Sequence, residues 1–320
     1  MRMTSTACEL SIVVPVYNEV DVIEHFHQTV SDVIRTLGIP YEILFVDDGS
    51  EDGTFNRIQE LAHQDSHVAA LRFSRNFGHQ SALFAGLSHA SGAYILMMDG
   101  DLQHPPSLIP ELWNWAQQEF DIVYTIRQSS EGIGWFKKLT STLFYKIFSY
   151  LTDVELHPNT ADFRIITRQV CDTITAMDER DVFLRGIFSW VGFRQKGLEY
   201  TAHERAQGSS KYTVRKMLNL SLSGITSFST VPIRLSLVLC GFSLLVACSY
   251  SLYALYVKFF LNKAVQGWTS LLILIAIFCS GIFIMLGIIG EYVAKIHLET
   301  KKRPRYIIAR TVGLQSLRTP

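Results

Sequence analysis

A chain of 320 residues with 29 basic and 29 acidic side chains carries no net charge, which argues against the clustered basic surface that a nucleic-acid partner requires. Five cysteines (Cys8, Cys171, Cys240, Cys248, Cys279) without any Cys-x-x-Cys spacing argue against a zinc site or disulfide framework, and they read as reduced, buried thiols. The apolar residues, 48% of the chain, are unevenly placed: Leu235–Val257 and Ser270–Gly290 hold no charged residue, and each is close to the ~20 residues that cross a hydrocarbon core.

From the N-terminus, the first apolar run, Leu10–Val16, is short and interrupted by Pro15, so no signal peptide is expected and the large domain should stay on the side where it is made. Short β-branched runs then alternate with amphipathic stretches, the pattern of a mostly parallel sheet covered by helices. Strands are predicted at Leu10–Val14, Tyr41–Val46, Val68–Phe73 and Tyr94–Met98, with helices at Asp21–Leu37, Gly53–His63 and Gln80–Ala90 between them. Each strand is followed by a polar cluster: Pro15-Val16-Tyr17-Asn18-Glu19, Asp47-Asp48-Gly49-Ser50, Arg75-Asn76-Phe77-Gly78 and Asp99-Gly100-Asp101. Crevices in such sheets open outside the carboxyl ends of the strands, so the four clusters are expected to form one site.

Beyond residue 102 the pattern is less regular, with helices expected around Leu108–Gln118 and Gly134–Tyr150. Tyr212–Phe228 spaces Val214, Met217, Leu218, Ile225 and Phe228 at helical intervals behind Lys211, Arg215 and Lys216, which suits a helix at a lipid interface or one packed against the protein. Basic residues precede the first apolar segment (Lys211, Arg215, Lys216, Arg234) and follow the second (Lys295, Lys301, Lys302, Arg303, Arg305), against Lys258 and Lys263 between them. That asymmetry places both long ends in the cytoplasm. The predicted organisation is a catalytic domain over 1–210, juxtamembrane helices over 211–234, membrane spans over 235–257 and 270–290 joined by an extracytoplasmic loop over 258–269, and a basic cytoplasmic tail over 291–320.

Two carboxylates separated by one residue after a strand, Asp99 and Asp101, present hard oxygen ligands for Mg²⁺ or Mn²⁺ on a diphosphate, with Gln103 as a neutral third donor. The strings Val13-Val14-Pro15-Val16-Tyr17-Asn18-Glu19, Val46-Asp47-Asp48-Gly49-Ser50, Arg75-Asn76-Phe77-Gly78 and Asp99-Gly100-Asp101-Leu102-Gln103-His104-Pro105-Pro106 resemble the inverting family 2 glycosyltransferases. Ala161-Asp162-Phe163-Arg164, Glu204-Arg205-x-x-Gly208-x-Ser210-Lys211-Tyr212 and the two apolar segments resemble, more narrowly, the polyprenyl-phosphate branch that includes dolichol-phosphate mannose synthases and bactoprenol glucosyltransferases. Glu299-Thr300-Lys301-Lys302-Arg303-Pro304-Arg305-Tyr306 fits the bactoprenol enzymes best.

The resemblance implies a GT-A nucleotide-sugar-binding α/β fold. It implies Tyr17 against the nucleotide base and Asp48 accepting from uracil, with Pro15, Glu19 and Arg75 shaping the same pocket and Asp99, Asp101 and Gln103 holding the metal. It also implies transfer, with inversion, from a UDP-sugar, glucose being the first choice, to undecaprenyl phosphate at the bacterial inner membrane, in the service of cell-envelope glycan modification. A homo-oligomer is compatible with it.

Asp162 either pairs structurally with Arg164 or lines the reaction centre, and Arg127, Lys137, Arg205 and Lys211 are the candidate cations for bringing two phosphates together. A processive polysaccharide synthase is disfavoured, since its Gln-x-x-Arg-Trp pattern is absent and two spans are few for a polymer channel. Intact Asp99, Asp101 and Asp162 argue against a catalytically silent scaffold.

Overall fold

A computed structural model describes residues 8–128, 160–179, 183–200, 231–260 and 267–314. Two compact units divide them: the first holds a sheet with its helices and also the residues from Arg303 onward, and the second holds two long helices.

In the first unit the elements run β1 (Leu10–Val16), α1 (Ile23–Arg35), β2 (Tyr41–Asp47), α2 (Thr54–Gln64), β3 (Val68–Phe73), α3 (His79–His89) and β4 (Tyr94–Met97). A 3₁₀ turn at Pro106–Leu108 leads into α4 (Ile109–Ala116), followed by β5 (Ile122–Arg127), β6 (Thr160–Thr167), α5 (Arg168–Thr175), α6 (Leu184–Trp190), β7 (Gln195–Tyr200) and finally β8 (Ile308–Val312). The eight strands form one sheet in the order β7-β5-β6-β4-β1-β2-β3-β8. β1 is parallel to both β2 and β4, and β2 to β3, which is the mostly parallel α/β sheet expected. β6 enters antiparallel between β4 and β5, and β8 lies antiparallel on β3.

The strands read as nearly continuous apolar runs because both faces are covered. Leu10, Ile12, Val14 and Val16 of β1 join Phe26, Val30 and Ile34 of α1, Phe55 and Ile58 of α2 and Leu112 of α4 in one core, while Leu44, Val46, Leu71 and Phe73 face Ala82 and Ala85 of α3 in another. α3 lies close on the sheet because of Gly86, where a Cβ would sit 2.1 Å from Val13 Cγ1. β1 runs through Pro15 rather than ending at Val14. Val13 is the last β1 residue paired with β4, and its carbonyl accepts from Met98 N–H. Two residues on, Pro15 faces the same side, where no β4 partner remains for the N–H it lacks.

In the second unit, α7 (Val231–Phe260) and α8 (Trp268–Thr300) are long and apolar enough to cross a membrane, over Val238–Val257 and Ile277–Thr300. Phe242, Leu245, Phe259, Phe260 and Phe283 are each at least 66% exposed, far more apolar surface than a soluble face carries. Cys240, Cys248 and Cys279 lie exposed on these helices, not buried as the sequence suggested, because no described residue packs over them; Cys171 is buried as expected. α8 continues past Gly290 to Thr300, since nothing in Glu291–Thr300 breaks a helix until Lys302 turns to φ 45° ahead of Pro304. Within the stretch expected to be a basic tail, the first ten residues extend α8, and Ile308–Val312 is a strand of the first unit's sheet.

Candidate active site

The site forms where the chain reverses direction across the sheet: β1 leads to β2 and β3 on one side, whereas β4 returns to the other side of β1. A crevice opens there by topology alone. It has a volume of about 360 Å³ and is lined by Pro15, Val16, Tyr17, Glu19, Asp48, Asn76, Gly78, His79, Ala82, Asp99, Gly100 and Asp101. Residues from all four predicted clusters thus share one pocket, among them the predicted Pro15, Tyr17, Glu19, Asp48, Asp99 and Asp101.

Hydrogen bonds between loops hold its walls. Asn18, at φ 53°, receives Glu51 N–H on its Oδ1 and donates its own N–H to Ser50 Oγ, while Glu19 N–H reaches Thr54 Oγ1 at 2.9 Å. Asp48 accepts from Phe77 N–H at 2.6 Å and Gly78 N–H at 2.9 Å, so one carboxylate shapes the loop after β3. Burial raises the Asp48 carboxyl above its usual range, partly offset by those two donors. Gly49 lets the loops after β2 and β3 approach: at φ 75° a Cβ would sit 2.5 Å from the Arg75 carbonyl carbon. Tyr17, 45% exposed, presents its ring at the crevice. Arg75 is not among the lining residues; its guanidinium lies 4.2 Å from the Phe77 ring centroid and donates to Asn76 O.

The acidic floor is under electrostatic strain. Glu19 Oε2 is buried with no hydrogen bond, next to Gly100, where a Cβ would come within 2.8 Å of it. Burial, then the negative charges of Asp101 and Asp99, push Glu19 up to about 7. Asp99 is likewise raised by burial, and its Oδ1 is also buried without a hydrogen bond. Asp101 instead leans on Gln103, which donates to it from both backbone and side chain. Among the described residues no three His, Cys, Asp or Glu side chains are gathered as a ready-made metal cage. The donor chemistry nevertheless fits a hard divalent ion, because two buried carboxylate oxygens here, Glu19 Oε2 and Asp99 Oδ1, accept no hydrogen bond. Gln103 fits less directly, since its side chain is engaged with Asp101.

The β4–β6 register explains how Asp162 arrives. Met97 pairs with Arg164 across antiparallel strands, so two residues further along β4 comes level with two residues earlier in β6, which brings Asp99 and Asp162 together. His79, the first residue of α3, stands between them, its Nε2 3.5 Å from Asp99 Oδ1 and 3.5 Å from Asp162 Oδ2. Although burial pulls His79 downward, hydrogen bonding to Asp162 and the charge of Asp99 raise it overall. His104 accepts Asp99 N–H on Nδ1 at 3.3 Å, which leaves the ring proton on Nε2, 3.8 Å from Asp99 Oδ2.

Asp162 forms a two-pronged ion pair with Arg185 of α6, Nε–Oδ1 2.8 Å and Nη2–Oδ2 2.9 Å. Against the opposing effect of burial, Arg185, His79 and Arg164 hold Asp162 well below the usual carboxylate range. The pairing with Arg164 that the sequence allowed is the looser one, at 3.8 Å: buried Arg164 donates to Ala161 O and lies over the Phe188 ring. Burial lowers it to about 10. Arg127 ends β5 at the same sheet edge, in register with Tyr200. Lys137, Arg205 and Lys211, and the helices expected at 134–150 and 212–228, lie outside the described residues. His79 and Arg185 went unpredicted, since each belongs to a helix and gains its meaning only from contact across the sheet.

A crevice at the carboxyl ends of a mostly parallel sheet, walled by locked loops and lined by the carboxylates Glu19, Asp48, Asp99 and Asp101, is the kind of site an α/β enzyme builds. The model described as "Glycosyl transferase family 2" matches residues 11–175, which takes in every element from β1 to α5. Near relatives match over almost the whole chain. The "Uncharacterized glycosyltransferase YkcC" of Bacillus subtilis is 40% identical over 97% of this chain and 96% of its own. The "Prophage bactoprenol glucosyl transferase homolog" of Escherichia coli is 40% identical over 94% of this chain and 99% of its own. The "SfII prophage-derived bactoprenol glucosyl transferase" of Shigella flexneri is 38% identical over 95% and 98%. The chain belongs to glycosyl transferase family 2 and is a glycosyltransferase.

Proposed function

We propose that this protein transfers glucose from UDP-glucose to undecaprenyl phosphate, with inversion, on the cytoplasmic face of a bacterial inner membrane. The observation that carries this is the nearly full-length likeness to proteins named bactoprenol glucosyl transferases, which spans the sheet and both apolar helices. Tyr17 stacks the base, and Asp48 accepts from uracil on lone pairs left after its two backbone donors. Asp99 and Asp101, with Gln103 beside them, would hold Mg²⁺ or Mn²⁺, which when bound would supply positive charge to offset the negative charge developing on the UDP leaving group.

The state of Asp162 supports a phosphate acceptor over a hydroxyl. An alcohol nucleophile needs a base with a pKa near the working pH, and a carboxylate clamped by Arg185 and held low is a poor proton acceptor. A phosphate monoester, with its second pKa near 6, is already largely dianionic at neutral pH and attacks without help. Asp162 then acts by orienting His79 and Arg185 at the reaction centre. Arg127, with Lys137, Arg205 and Lys211, supplies further positive charge to the two phosphates.

The membrane arrangement is supported by the return of the chain. β8 pairs with β3 in the same sheet as the N-terminal strands, so a chain that crosses the bilayer at α7 has to return at α8 to the side it left. The clustered basic residues at both ends make that side the cytoplasm. Holding the site beside the bilayer keeps it at the height of an acceptor phosphate that cannot leave the lipid.

The test incubates purified full-length protein and Mg²⁺ with undecaprenyl phosphate and a panel of nucleotide sugars, and identifies the lipid product by mass spectrometry. A hexosyl-phospho-lipid formed from UDP-glucose is expected; no product from any donor rejects the proposal. Asp101→Ala should lose at least roughly 100-fold in turnover, the scale of an electrostatic contact at a developing charge. Retained metal-dependent activity in that variant would reassign the metal.

A further inference from the structure

We infer that Arg185 is the residue that grips the acceptor's phosphate, and that its ion pair with Asp162 is the resting partner which that phosphate replaces. The inference rests on the reading of the acceptor as a phosphate monoester. A site that joins a diphosphate donor to a phosphate acceptor must offset several negative charges, yet the crevice already holds the carboxylates Glu19, Asp48, Asp99 and Asp101, with Asp162 3.5 Å from its His79.

Of the described arginines, three belong to the β5–β6 side of the site or to α6, and they are not equivalent. Arg164 is 3% exposed, pinned between Ala161 O and the Phe188 ring, and is out of reach of an incoming ligand. Arg127 is exposed at the end of β5, in register with Tyr200, and makes no ion pair with a site carboxylate among the described residues. Arg185 alone combines a direct contact with the reaction-centre carboxylate and an accessible side chain, 41% exposed.

The geometry of the contact is that of phosphate recognition. Arg185 presents Nε and Nη2 as a fork to the two oxygens of Asp162, and the same fork fits two oxygens of a phosphate. In the resting enzyme the buried carboxylate holds the fork in place, so little side-chain entropy is lost when phosphate arrives. Asp162 is not abandoned in the exchange, because His79 at 3.5 Å and Arg164 at 3.8 Å remain beside it. Its position follows from the fold: Arg185 is the second residue of α6, and Leu184 N–H bonds Gln80 Oε1, which ties α6 to the α3 terminus carrying His79.

The experiment compares wild type, Arg185→Lys and Arg185→Gln as full-length protein in detergent. Steady-state kinetics vary undecaprenyl phosphate and UDP-glucose separately, and calorimetric titrations with farnesyl phosphate and with UDP follow binding without turnover. Expected is a rise in acceptor KM on the order of 30-fold in both variants, the loss of a charge-assisted fork, with donor KM and UDP affinity within about two-fold of wild type. Lysine should not rescue, because it keeps the charge and loses the fork. Farnesyl phosphate should bind wild type and bind either variant on the order of 30-fold more weakly.

Weakened UDP binding with an unchanged acceptor KM would overturn the inference and assign Arg185 to the donor. A lowered unfolding midpoint with both KM values unchanged would overturn it as well, leaving a structural ion pair. If wild type bound farnesyl phosphate through Arg185 but made no lipid product, the proposed reaction would fall while the phosphate grip stood. If wild type bound no farnesyl phosphate, the grip itself would be refuted.

Discussion

Glu19 shows how a single side chain carries the site's electrostatic cost. Its carboxyl has pKa 4.5 when unperturbed and is pushed up to about 7 by burial and by Asp101 and Asp99. Below about pH 4.5 it is neutral both folded and unfolded and imposes no penalty. As the pH rises toward 7, the unfolded chain ionises while the folded protein stays protonated, so stability falls through that window and the loss is complete above it, at roughly 3 kcal/mol. Glu19→Gln should therefore match wild type in thermal unfolding at pH 4 and exceed it at pH 8. Mn²⁺ should narrow the gap at pH 8 by neutralising the cluster that lifts Glu19. A difference independent of pH would mean that Glu19 is paired in a way its orphaned Oε2 does not suggest.

At the scale of the element, β8 is the most consequential strand. It is contributed by residues that follow the second apolar helix, and it covers the β3 edge that would otherwise expose unpaired backbone groups. Tyr306 fastens its approach: the ring stacks on Phe73 at 5.0 Å with 13° between planes and meets His89 edge-on, while neighbouring Arg305 lies over Phe84. Tyr306→Ala should cost about 2–3 kcal/mol locally, the lower end for removing a packed aromatic that is only partly buried. Hydrogen exchange should then show amide protection falling by roughly 30- to 100-fold in β8 and the β3 edge, with β1 and β2 little changed. A uniform loss across the sheet would show instead that β8 and the core strands open together.

For the whole molecule, the sheet dictates the topology. Strands from both ends of the chain hydrogen-bond in one sheet, so the proposed topology requires that a crossing by α7 be matched by a return through α8. Single cysteines replacing Glu60, Lys263 and Ala309 in a cysteine-free background test this with a membrane-impermeant maleimide on sealed vesicles. Positions 60 and 309 should label from the same side and position 263 from the opposite one. Labelling of all three from one side would mean that α7 and α8 do not cross.

The sequence by itself determined the first four strands, the helices between them, the two apolar segments and the gathering of Tyr17, Glu19, Asp48, Asp99 and Asp101 into one crevice. It did so because these depend on local periodicity and on the rule that parallel strands present their carboxyl ends together. β5, β6 and β7 were not legible, since their neighbours are set by pairings between distant segments. Only the tertiary structure decided what Asp162 faces: the antiparallel register of β4 and β6 sets it beside Asp99, and two helices deliver His79 and Arg185 to it. The same holds for residues 303–314, which the sequence assigns to a basic cytoplasmic tail. Their place in the sheet follows from an open β3 edge and from the Phe73 ring awaiting Tyr306, features that no local pattern in the tail encodes.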